Sequence, residues 1–124
     1  MQVIKNSIVA FCLLVILLSV HSCAEVFEKS LDNEKIVLIA PADSIIVNDS
    51  AEVFYWQPVE ASTGYELQIV SPKFDSLANL VMDTTILSNT FPLVLDSGQY
   101  QWRVRAFNAS STTSFTSART FTIH

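Results

Sequence analysis

Gln99-Tyr100-Gln101-Trp102-Arg103-Val104-Arg105-Ala106-Phe107 is the stretch that decides the fold. Tyr100, Trp102, Val104 and Ala106 fall on one side of an extended chain; Gln99, Gln101, Arg103, Arg105 and Phe107 fall on the other. Successive side chains of a strand point to opposite faces, so strict alternation over the whole stretch specifies a strand with one buried and one wet face. Asp96-Ser97-Gly98 turns the chain into it, and the polar run Asn108–Ser114 leads out as a hairpin.

The same grammar extends on both sides. Downstream, Ala118–Ile123 predicts a last strand with Phe121 and Ile123 inward. Upstream, Tyr65–Val70 alternates, with Tyr65, Leu67 and Ile69 on one face and Glu66, Gln68 and Val70 on the other. Leu80–Thr85 and Thr90–Leu95 are further strand candidates, and Pro92 marks the second as an edge strand because it cannot donate to a ladder. Glu52–Trp56, Ile45–Val47 and Ile36–Ala40 are short apolar runs closed by Gln57-Pro58, Asn48-Asp49-Ser50 and Pro41. No segment after Ile36 carries a 3.6-residue period. The expected fold is all-β: an antiparallel, immunoglobulin-like β-sandwich of about seven strands.

These residues also carry a resemblance. Trp56-Gln57-Pro58 ending one strand, Gly64-Tyr65 opening the next, and Leu95 followed by Gly98-Gln99-Tyr100-Gln101-Trp102 are similar to a fibronectin type III domain. Leu38-Ile39-Ala40-Pro41-Ala42-Asp43 resembles the opening of bacterial versions. The resemblance spans residues 35–124 and implies core positions for Trp56 and Tyr65. It also implies a tyrosine corner at Leu95/Tyr100, in which the hydroxyl is tied to nearby backbone. Glu52 departs from it, standing where an apolar residue is usual.

Half of the 124 residues are hydrophobic and mean hydropathy is +0.38, but the excess sits in one place. Between Lys5 and Glu25 no residue is acidic or basic apart from neutral His21, and Ile8–Val20 is continuously apolar save Ser19. One basic residue, a short apolar run and small polar residues make the layout of a secretory signal peptide. The run is short for a spanning helix, which needs about 20 residues. Val20-His21-Ser22-Cys23 resembles a bacterial lipobox of the looser Bacteroidota type, with His21 a departure. The resemblance implies cleavage before Cys23 and a lipid anchor on that residue. An uncleaved anchor helix is the competing reading. The expected organisation is therefore a signal-peptide helix over 1–22, a lipidated N-terminus and flexible tether over 23–34, and the folded domain over 35–124. The protein would be exported and held at the cell envelope, in the outer membrane, through Cys23.

The mature chain would keep 6 Lys and Arg against 12 Asp and Glu, a net charge of −6. Such acidity argues against nucleic acid as a partner. With His124 its one histidine and Cys23 its one cysteine, Ser-His and Cys-His catalytic pairs are excluded and a zinc site is not expected. Two glycines exclude a Gly-rich phosphate loop. No enzymatic activity, cofactor or metal is expected.

Four segments, Asp43-Ser44-Ile45, Asp49-Ser50-Ala51, Asp75-Ser76-Leu77 and Asp83-Thr84-Thr85, resemble the O-glycosylation acceptor of exported Bacteroidota proteins, which makes Ser44, Ser50, Ser76 and Thr84 candidates. Ordinary Asp-Ser turn chemistry explains them equally well. Asn108-Ala109-Ser110 matches an N-glycosylation sequon, which means little beside a bacterial lipobox.

The functional expectation is a non-enzymatic envelope lipoprotein acting as a protein-interaction or accessory module, its partner an envelope protein. The candidate interaction face is the outward side of the two clearest strands: Glu66, Gln68, Gln101, Arg103, Arg105 and Phe107, with Val70 beside them. Cross-strand pairing of the arginines with carboxylates is the plainer reading of that face. The alternatives are a glycan-binding accessory protein of a polysaccharide-uptake system, using Tyr55, Phe74 and Phe107, and a structural spacer without a specific ligand.

Overall fold

A computed structural model describes residues 28–75 and 78–124. The signal segment 1–22, Cys23 and Ser76 lie outside the described residues. Among those described there is no helix, and none therefore long and apolar enough to cross a membrane.

Eight strands follow one another: β1 (Leu38–Ala40), β2 (Ile45–Val47), β3 (Ala51–Trp56), β4 (Gly64–Ser71), β5 (Asn79–Ile86), β6 (Thr90–Val94), β7 (Gly98–Phe107) and β8 (Arg119–Ile123). They form two sheets, a three-stranded β1-β3-β6 and a five-stranded β2-β8-β7-β4-β5. The all-β sandwich expected from the sequence is present. Each of the eight coincides with one of the runs read in the sequence, one more than the count of about seven, with Pro41 and the turn after it separating the first two. β1 stays on the small sheet, and β2 crosses to pair with β8. That pairing is parallel, with Ile45 opposite Phe121, so the sandwich is not wholly antiparallel as expected.

The alternation that identified β7 holds along its length. Tyr100, Trp102, Val104 and Ala106 are buried while Gln101, Arg103, Arg105 and Phe107 are half-buried on the other face. On the partner strand Leu67 stands opposite Val104 and Ile69 opposite Trp102, so the two inward rows mesh. Aromatic rings join the sheets: Phe54 meets Trp102 edge-on at 5.1 Å and Trp56 meets Tyr65 edge-on at 5.4 Å. Edge-to-face contacts place the positive ring rim on a negative face. The tyrosine corner is formed, with the Tyr100 hydroxyl donating to Asp96 O at 2.7 Å. On β4, Tyr65 packs inward and its hydroxyl accepts the Val59 amide at 2.9 Å.

Val70 keeps the outward position that alternation gives it, opposite Gln101, but it is buried there, outside the inter-sheet core, and so offers little surface. The β4–β5 register slips beside it, Ile69 pairing with Met82 and Val70 with Leu80, with the extra residue, Val81, on β5. One sequence expectation is corrected, that of the tether. Over 28–34 the chain is bound to the domain, because Leu31 is fully buried in the core. Leu31 N donates to Ser111 Oγ at 2.8 Å, and Asn108 Nδ2 donates to Lys29 O at 2.8 Å. Charge and polarity had suggested a solvated linker, but one apolar side chain with a pocket to fill outweighs six polar neighbours that remain at the surface.

Candidate functional site

The outward face of β4 and β7 brings together the residues singled out in the sequence. Register sets Glu66 opposite Arg105 and Gln68 opposite Arg103. Arg105 is ion-paired with Glu66 through Nε and Nη2, with the side chains 38% and 19% exposed respectively. Arg103 Nε donates to Gln68 Oε1 at 2.9 Å, and Gln68 Nε2 reaches Asp83 Oδ2 on β5 at 3.2 Å. The expected cross-strand charge pairing is thus made by Arg105, whereas Arg103 pairs with an amide.

Two phenylalanines complete the face. The segment after β4 folds back so that Phe74 N donates to Gln101 Oε1 at 2.9 Å, and the Phe74 ring lies 4.1 Å from the Arg103 guanidinium. Phe115 comes from the segment before β8 and lies 4.3 Å from Arg103 and 4.4 Å from Arg105. Arg103 is therefore held between two ring faces and Arg105 lies on one of them, a cation–π arrangement stronger where water is partly excluded. Gln101 Nε2 also donates to Thr120 Oγ1 at 3.0 Å. Phe107 closes the row at the end of β7, where its ring fills the space left by Gly64; a Cβ there would come within 2.6 Å of Phe107 Cζ. Phe115 was not picked out from the sequence. It stands in a run of Ser and Thr that reads as loop, and nothing in its spacing ties it to β7.

The candidate sugar-binding aromatics do not share a site. Tyr55 is on the three-stranded sheet, Phe107 on the five-stranded one, and Phe74 has its ring against Arg103.

Among the modification candidates, Ser44 and Ser50 are exposed. Their neighbouring aspartates hold backbone: Asp43 Oδ1 accepts Thr120 N and Asp49 Oδ1 accepts Ala51 N, both at 2.9 Å. Thr84 pairs with Leu67 on the inner side of β5 and is half-buried, which restricts access to its hydroxyl. Asn108 is buried, so the sequon is closed. Its Oδ1 accepts the Ser110 and Ser111 amides at 3.1 and 2.9 Å, while its Nδ2 binds Lys29 O and Ala61 O.

A shallow groove runs between β1 and the segment 114–119, lined by Ile36, Leu38, Asp43, Phe115 and Arg119 among others. No group of three His, Cys, Asp or Glu that could hold a metal ion occurs among the described residues.

A feature not singled out in the sequence is the outward face of β1-β3-β6. Val37 and Ile39, Val53 and Tyr55, and Val94 are 51%, 38%, 53%, 37% and 72% exposed, with Ala51 and Pro92 between them. No outward position of these strands is charged. The signal was available: the apolar run through β1 does not alternate, and the outward positions of β3, Ala51, Val53 and Tyr55, carry no charge.

No family model and no curated protein matches this chain. Solved structures do. The solution structure of a fibronectin type III domain derived from human KIAA0970 protein has a TM-score of 0.55 at 22% identity, covering 78% of this chain and 77% of that one. The fibronectin type-III domain of human fibronectin type III domain containing protein 3 gives 0.50 at 13%, covering 77% and 89%. A Fn3-like protein from Clostridium thermocellum gives 0.48 at 15%, covering 69% and 96%. At these identities the likeness concerns the backbone alone; that to the two human domains, with the two-sheet order and the Tyr100 corner, makes the fold fibronectin type III-like.

Proposed function

We propose that this chain is a non-enzymatic lipoprotein of the cell envelope whose domain serves as a protein-interaction or accessory module. Cys23 would carry the lipid, and an envelope protein would be the partner. The observation that supports this reading best is the ordered Arg–Phe strip on β4 and β7. Arginine and aromatic side chains are over-represented in interface cores. Here Arg103 and Arg105 are already fixed between Phe74, Phe115, Gln68 and Glu66. Side chains ordered before contact lose little conformational entropy on binding, so the strip is pre-organised for a partner.

The glycan-binding alternative has weaker support, because Tyr55 and Phe107 stand on different sheets and the ring faces of Phe74 and Phe115 are occupied by guanidinium groups. The spacer reading has no observation in its favour beyond the fold. Capture of the intact protein from its own envelope under mild detergent tests the proposal. One specific protein should co-purify and be lost in the Arg103→Ala/Arg105→Ala variant. No protein captured, together with a reproducible glycan-array signal that survives that variant, would overturn it. Intact mass of the native protein tests acylation at Cys23 and glycosylation at Ser44, Ser50, Ser76 and Thr84 in one measurement.

A further inference from the structure

We infer that the outward face of β1-β3-β6 lies on the membrane, so that the lipid surface is the partner of the apolar patch while the Arg–Phe strip points away from it. The inference rests on the proposal that Cys23 is acylated.

Chain length carries the argument. Four residues lie between Cys23 and Glu28, so the two are at most about 17 Å apart when the chain is fully extended. Beyond Glu28 there is no slack, since Leu31 is buried and Lys29 is bound through its carbonyl to Asn108. The domain is thus held within a short distance of the bilayer by the end where the β3–β4 connection lies. There Lys29 Nζ stands 3.7 Å from Glu60 Oε2 and 3.1 Å from Glu34 Oε1. That end is charged and stays hydrated. The face running from it along β1 and β3 carries no charge: Val37, Ile39, Val53, Tyr55 and Val94 are uncharged side chains left exposed.

Contiguous apolar patches of this kind mark protein or membrane contacts, and a tether this short makes the bilayer the surface always within reach. An aromatic ring with a polar tip, as at Tyr55, suits the headgroup level. The opposite sheet, carrying Asp83, Glu66 and the arginines, would face solvent.

The mature acylated chain would have no free thiol, so a single introduced cysteine can report depth. Val53→Cys on the apolar face and Asp83→Cys on the far sheet are both at exposed positions. Each full-length lipoprotein is labelled with an environment-sensitive dye and reconstituted in phosphatidylcholine–phosphatidylethanolamine vesicles, with and without a lipid bearing a shallow nitroxide. Mass spectrometry of the same sample reads the acylation state. The expected result is at least a two-fold quenching at position 53 with little at position 83. Acylated protein with equal or no quenching at the two positions overturns the inference and leaves the lipoprotein proposal standing. Unacylated protein overturns both. A label at position 53 that is buried in native envelopes but unquenched in vesicles assigns the face to a protein and overturns lipid docking.

Discussion

Single residues decide whether this sandwich closes, and their roles differ in kind. The Tyr100 hydroxyl makes one hydrogen bond, to Asp96 O, and burial followed by the nearby Asp96 carboxylate raises its pKa. Tyr100→Phe keeps the ring stacked on Phe121 and should cost about 1 kcal/mol, measured by urea unfolding. An unchanged midpoint would show that the corner bond contributes nothing. Trp56 acts through volume alone. It is fully buried and its indole N–H has no acceptor among the described residues. Trp56→Ala should cost about 3–5 kcal/mol in the same assay, a loss of packing rather than of a bond. Glu52 works against the fold. Burial first, and Asp49 second, raise its carboxyl above the ordinary 4.5. A carboxyl with a raised folded-state pKa binds its proton more tightly in the native chain. Its favourable contribution is therefore present below the unfolded value and lost as pH rises through the folded one. Glu52→Gln should be more stable than the parent at pH 7, and the advantage should vanish on acidification below about pH 4. A melting-temperature difference that stays constant with pH would contradict this.

Strands and their connections show what the sequence could and could not convey. β7 was legible because one face is buried and one wet, so side-chain period and environment agree. β4 was legible for the same reason, and its alternation holds through Val70, which stands opposite Gln101. The burial of Val70 was not legible, because what covers an outward position is set by tertiary contacts and the spacing within β4 carries no trace of it. The parallel β2–β8 pairing escaped too, since a three-residue apolar run such as β2 does not state which neighbour it will join. The Arg–Phe strip was half legible. Alternation placed Arg103 and Arg105 outward, but Phe74 and Phe115 reach them from connections whose paths are set by tertiary contacts. Those connections are not passive. Thr113 Oγ1 accepts the Ala106 amide at 3.0 Å and Thr116 Oγ1 the Val104 amide at 3.2 Å, so hydroxyls extend the ladder of β7 where the next strand has not begun. Phe115 is held between these two threonines and should therefore stand still against both guanidinium groups. Phe115→Ala is expected to lower stability by about 1 kcal/mol, from two partly exposed cation–π contacts. In an Arg103→Ala background the loss should shrink. Equal losses in both backgrounds would mean that Phe115 serves packing only.

At the scale of the whole molecule, the question is where the domain begins. Composition placed its start at Lys35, because Glu28, Lys29, Asp32 and Glu34 read as a solvated linker. Sequence patterns weigh polar residues by number, whereas a core weighs the one side chain that enters it. Leu31 enters fully, in the same cluster as Leu38, Trp56 and Val104. Around it Glu34 N donates to Leu31 O at 3.0 Å, and Asn108 and Ser111 bind the segment from the hairpin after β7. Asn108 bonds at once to the 28–34 segment, the β3–β4 connection through Ala61, and its own hairpin, so three parts of the chain share one buried amide. Removing the segment would open the Leu31 cavity and leave one Asn108 donor to water. A soluble chain beginning at Glu28 should unfold cooperatively in denaturant, and one beginning at Lys35 should be about 2–5 kcal/mol less stable, the usual cost of emptying a buried leucine site. Leu31→Ala in the longer chain should reproduce most of that difference, because the exposed charges of the segment contribute little. If the two chains unfold at the same denaturant concentration, residues 28–34 are a tether after all, and the slack they would add between Cys23 and the domain would remove the constraint that holds its apolar face near the bilayer.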